Sequence, residues 1–155
     1  MKAETISLQR DQIDRHLRPL RQARLLRPAR GWVRAVREAL GINGRQMAER
    51  MNIARSHLSQ IEDAEARGAV SIRTLQRAAD ALGCDLVYAL VPRNGKTLET
   101  LVHDRAQRTA EQMVERVAET MALEDQAVSR EFRKREVDRI ARELVRTMSK
   151  DLWDK

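Results

Sequence analysis

The residues best suited to chemistry lie between Asn43 and Asp63, in the stretch NGRQMAERMNIARSHLSQIED. Leu58 and Ile61 are spaced as the buried pair of a short helix, which leaves Arg55, Ser56, His57, Ser59 and Gln60 pointing outward. Those side chains carry the donors and acceptors that read base edges and hold phosphates, and a helix presenting them fits a DNA major groove. Arg55 suits a bidentate contact to guanine, with Ser56, Ser59 and Gln60 on adjacent base edges. Asn43, Arg45 and His57, together with Arg24, Arg27 and Arg30 upstream, are better placed for phosphates. The bland alternative is a helical hairpin whose polar face is only solvated.

The elements that must hold this face in place can be read outward from it. In the preceding helix Met47, Ala48 and Met51 share one apolar face, and Ala48 is small enough for another helix to cross closely. Asn43 sits where an N-cap belongs. Asn52 occupies the turn, where left-handed backbone is needed and asparagine tolerates it. The pattern of Ala48, Ile53 at the turn and the closing Gln60-Ile61-Glu62 resembles the helix-turn-helix of the phage-repressor (Cro/C1, or Xre) family. Upstream, Trp32, Val33, Val36 and Leu40 form a core stripe, and Gly41 stops that helix. Downstream, Gly68 breaks a loop, Ser71 caps a helix with Ile72, Leu75, Ala78, Ala79 and Leu82 as its apolar positions, and Gly83 ends it. Together these predict an all-α bundle of the phage-repressor kind over residues 31–83.

Residues 1–30 form a basic helical arm. Through Gly31 there are eight basic residues against three acidic ones, so about +5 of the net charge of +7 sits there. Arginines recur at 15, 18, 21, 24 and 27, on a face that either tracks a phosphate backbone or is simply solvated. A kink or break is expected at Pro19, and a second break before Pro28.

Residues 84–92, CDLVYALVP, carry the one strand signal: Leu86, Tyr88 and Leu90 alternate with Val87, Ala89 and Val91. No second strand is evident, so pairing with the same segment of another copy, giving a homodimer on a palindromic operator, is the economical expectation. The alternative is a strand folded against its own domain. Such a strand is similar to that of repressor-type antitoxins of the HipB and HigA kind.

From residue 97 to 155 no Pro or Gly occurs, and apolar residues recur at three- and four-residue intervals. Two long helices are expected, joined near Glu124 to Gln126. Their arrangement stays open; a hairpin is one solution, and it should pack on the domain, a dimer mate or another protein, because two helices alone bury little area.

Aromatic residues make up 3% of the chain and charged ones 34%, a balance that suits a helical protein meeting a polyanion. The single cysteine, Cys84, allows no disulfide or cysteine metal site within the chain. His16, His57 and His103 are dispersed, and no phosphate-binding glycine loop is present. An enzyme, a cofactor, a bound metal and a small-molecule substrate are therefore not expected. No stretch approaches the roughly 20 apolar residues that span a bilayer, and the expected location is cytoplasmic.

Taken whole, the segments GWVRAVREALG, RGAVSIRTLQRAADALGCDLVYALVPR, TMALEDQAV and the terminal LWD resemble the family called mobile mystery protein A. That resemblance implies an antitoxin encoded beside a Fic-domain toxin, an enzyme class that transfers AMP to a target hydroxyl. It also implies that the antitoxin represses its own operon. Fic inhibitors carry Ser/Thr-x-x-x-Glu-Gly/Asn on a helix, and Thr120 to Glu124 matches it, with Asp125 departing at the last position. By that likeness Glu124 would enter the toxin's active site. The readings left open are a free-standing repressor without a toxin and an interaction scaffold that no longer binds DNA.

Overall fold

The computed structural model describes residues 3–23, 26–123 and 129–154, with backbone alone at 121–123. Seven α-helices are found there: α1 (Ala3–Ala23), α2 (Trp32–Ala39), α3 (Gly44–Met51), α4 (Arg55–Ala66), α5 (Ile72–Leu82), α6 (Leu98–Leu123) and α7 (Arg130–Thr147). They divide between two compact units, one spanning Leu25–Ala89 and the other combining Met1–Arg24 with Leu90–Lys155.

The Leu25–Ala89 unit builds its core from α2 to α5. Val33, Met47, Ala48, Met51, Leu58, Ile61, Ala78 and Leu82 are buried together, and Val36, Ile42, Ile53, Val70 and Leu75 pack around them. Full burial of a side chain such as Leu58 contributes about 1.5–3 kcal/mol. The helix ends follow the local chemistry. Asn43 Oδ1 accepts from the Gln46 amide at 3.0 Å while Gln46 Oε1 accepts from the Asn43 amide at 2.9 Å, a complete capping box on α3. Asn52 closes α3 in left-handed backbone, with φ of 54°. Ser71 Oγ accepts from the Thr74 amide at 3.1 Å and so caps α5.

Three side chains expected in the core lie outside it. Trp32 is 47% exposed, because it opens α2 and only its backbone is drawn inward; Leu40 lies one residue past the end of α2, where the helical period no longer aims it at the core; Ile72 likewise stands exposed at the first position of α5.

The other unit sets α6 and α7, separated by six residues, side by side as a hairpin. Small residues let them approach: Ala106 and Ala110 of α6 meet Val137, Ala141 and Leu144 of α7, and Leu152 closes the end. Helix α1 belongs to this unit. Asp14 caps α6, accepting from the Leu98 amide at 2.8 Å and the Glu99 amide at 3.1 Å, and Arg10 pairs with Glu99. Of the kink or break expected at Pro19, the break does not occur: α1 runs through it as one helix. Pro19 stands four residues before Ala23, and the carbonyl it deprives of a partner belongs to Arg15, which is exposed to water. The expected junction at Glu124 to Gln126 lies outside the described residues.

The strand expected over residues 84–92 is not seen. A strand is a pairing pattern, and no other stretch of the described residues offers the chain an edge to pair with. No hydrogen bond among the described residues engages the backbone from Asp85 to Val91.

Candidate nucleic-acid interface

Helix α4 divides as its sequence requires. Leu58 and Ile61 are buried, and Arg55, Ser56, His57, Ser59 and Gln60 are all exposed. Its N-cap residue is Ala54, which offers no side-chain acceptor, so the first amides of α4 remain donors at the positive end of the helix. A Cβ placed on Gly44 would lie 3.8 Å from Arg55 Nε, so the Arg55 side chain rests beside the first turn of α3. Two helix N-termini and a guanidinium therefore share one surface, a combination suited to a phosphate backbone with base edges beyond it.

Two buried carboxylates fix the pose of α4, and neither was singled out for that role from the sequence. Arg37 of α2 grips Glu62, with Nε to Oε1 at 2.7 Å and Nη2 to Oε2 at 3.2 Å, and its Nη1 donates to the Ile42 carbonyl at 3.0 Å. The Glu62 hydrogen bond raises the Arg37 pKa above its ordinary value, so the guanidinium stays charged. One turn on, Glu65 accepts from the Trp32 amide at 2.8 Å and the Val33 amide at 3.0 Å, capping α2 from outside it. Gly31 makes that approach possible. Its backbone sits at φ 84° and ψ 161°, and an added Cβ would stand 2.6 Å from Glu65 Oε2. The signal was present in the spacing: 58, 61, 62 and 65 fall on one helical stripe, so the two glutamates share the buried face with Leu58 and Ile61.

The residues expected at phosphates are placed unequally. Asn43 spends its Oδ1 on the cap of α3 and keeps its amide group as a donor. Arg45 is exposed and pairs with Glu49 at 2.6 Å along α3. His57 and Arg30 are exposed. Arg27 is engaged at the other end of α4, where Nη2 donates to the Ala66 carbonyl at 2.9 Å and Nη1 to the Glu65 carbonyl at 3.3 Å, a cationic C-cap. Arg24 lies outside the described residues. In α1, Arg10 pairs with Glu99 and Arg21 with Asp14, so these two upstream arginines serve packing in their own unit.

Leu86 is half-buried, whereas Tyr88 and Leu90 are exposed. Thr120 donates its Oγ1 to the Arg116 carbonyl at 3.0 Å within α6, and Glu124 lies outside the described residues. No group of three or more His, Cys, Asp or Glu side chains able to hold a metal occurs among the described residues. Among them, no helix is long and apolar enough to cross a membrane.

No curated protein and no solved structure matches the chain. One family model does, over residues 33–88, and its description is helix-turn-helix. Its span takes in α2 to α5 and runs on to Tyr88, so the segment with the outward polar face of α4 and the buried carboxylates behind it is a helix-turn-helix domain.

Proposed function

We propose that this protein is a sequence-specific transcriptional repressor that inserts α4 into the major groove of double-stranded DNA. The observation that carries the reading is the exposed row Arg55, Ser56, Ser59 and Gln60 on a helix held rigidly from behind by Glu62 and Glu65. Arg55, Ser56, Ser59 and Gln60 read base edges, while Asn43, Arg45, His57 and Arg30 hold phosphates. The protein acts as a homodimer joined through residues 84–92, where the backbone from Asp85 to Val91 engages no partner among the described residues and the side chains from Leu86 to Val91 are apolar, and its operator is palindromic. Selection from random duplex DNA tests this. Enrichment of an inverted repeat with half-sites about one helical turn apart supports it, and enrichment of nothing refutes it.

The finer reading is an antitoxin that holds a Fic-domain toxin through its helical unit and represses its own operon. Two things support it: the resemblance carried by the TMALEDQAV and LWD segments, and a second unit with a core of its own that DNA contact does not require. Val117 and Phe132, exposed on α6 and α7, supply apolar surface for such a partner. Thr120 and Glu124 then supply the inhibitory motif. Co-expression with a neighbouring Fic-domain protein, followed by size-exclusion chromatography and an AMP-transfer assay, decides between the antitoxin and a free-standing repressor.

A further inference from the structure

Beside the recognition helix the Leu25–Ala89 unit carries an apolar groove of about 550 Å³. Trp32, Val36, Leu75, Ala79, Leu86 and Tyr88 are among the residues that line it. Arg27, which clamps the C-terminal carbonyls of α4, lines it too. One wall is therefore the segment whose backbone has no partner. Two residues along the chain from Tyr88, which is 73% exposed, Leu90 is 90% exposed. Neither exposure is expected of side chains in a finished apolar surface.

We infer that the groove is filled by Leu90 of a second copy of this chain. The inference rests on the dimer reading above and specifies its contact. Two antiparallel registers keep most of the apolar run from Leu86 to Val91 paired with itself, one with its two-fold at Tyr88 and one at Ala89. The first sets Leu90 opposite Leu86 of the other copy; the second sets Leu90 opposite Tyr88. Both of those residues line the groove, so each register delivers Leu90 to it. Charge agrees with the pairing. Asp85 faces Arg93 of the second copy directly in the Ala89 register and diagonally in the Tyr88 register, and the two-fold repeats the pair at the other end. Because Arg27 lines the same groove, filling it also buttresses the residue that caps α4, and dimerisation becomes linked to the stability of the reading head.

Sedimentation equilibrium on the full chain tests the contact with Leu90→Ser, Ala79→Phe and the double variant. Leu90 is too exposed for its loss to unfold a protomer, and Ala79→Phe fills the groove from α5 without touching the paired backbone. Circular dichroism checks that Ala79→Phe is folded, and Leu90→Ser alone still decides the matter if it is not. Each single variant is expected to weaken the dimer by about tenfold or more, and the double variant by little beyond either, since both remove one contact. A wild-type dimer that Leu90→Ser leaves intact overturns the groove assignment while the dimer stands, as do effects that simply add. A monomeric wild type overturns the dimer reading itself.

Discussion

Gly31 and Glu65 form a coupled pair whose energetics follow from the geometry. The Gly31 backbone lies at φ 84° and ψ 161°, a region open essentially to glycine, so alanine there costs about 1–3 kcal/mol in backbone strain. Its Cβ would also stand 2.6 Å from Glu65 Oε2 and 2.7 Å from the carboxyl carbon. The carboxylate must then shift, which sacrifices the cap on the Trp32 and Val33 amides, worth about 1–2 kcal/mol. Gly31→Ala is thus expected to destabilise by about 2–5 kcal/mol, and Glu65→Ala by about 1–2 kcal/mol. In the double variant the Cβ meets no carboxylate and the cap is already gone, so only the strain remains to be added. The double variant should be more stable than the sum of the singles by about 1–2 kcal/mol. Urea unfolding followed by circular dichroism reads these free-energy differences directly. Strict additivity, or a Gly31→Ala variant as stable as wild type, would refute the reasoning.

Other outcomes follow from the same contacts. Arg37→Ala strands a buried glutamate and should destabilise by about 3–5 kcal/mol, whereas Arg37→Met with Glu62→Leu should recover most of that loss in denaturant melts. Leu58→Ala removes a core side chain only 2% exposed and should cost about 2–5 kcal/mol by the same assay. In the helical unit Glu99 is held below the usual carboxylate range: burial opposes this, but the Arg10 hydrogen bond and charge outweigh it. Its contribution to stability is complete above the ordinary glutamate value of about 4.3 and is lost as pH falls through the lowered folded value. Acid titration by circular dichroism should therefore show a transition below about pH 4 that Arg10→Gln makes shallower. An identical transition in that variant would remove Glu99 as its cause.

Where function and folding make the same demand on a residue, the sequence was legible. Asn43, Asn52 and Ser71 could be placed at helix ends because their side chains or backbone preferences act locally. The outward row on α4 was legible because Leu58 and Ile61 set its phase. Pairing across the fold was not. Glu62 and Glu65 look like ordinary surface carboxylates until α2 is brought against them, and Gly31 looks like a loop residue until Glu65 is. Arg27 fits a phosphate contact by charge alone, yet the end of α4 claims it first. Helix α1 reads as a free basic arm, since nothing near Asp14 in sequence shows that its carboxylate caps a helix beginning 84 residues later. Segment 84–92 has the alternation of a strand, but alternation supplies side chains and not a partner backbone.

The most direct test of the central claim is a titration of the selected operator duplex and a scrambled duplex, at one salt concentration, with wild type, Gln60→Ala and Arg45→Ala. Gln60 should read a base, so its loss should reduce the preference for operator over scrambled DNA by about 5–150-fold, corresponding to about 1–3 kcal/mol, with scrambled binding kept. Arg45 should hold a phosphate, so its loss should weaken both duplexes alike and leave the preference unchanged. If Gln60→Ala keeps the wild-type preference, α4 does not read the bases and the account fails.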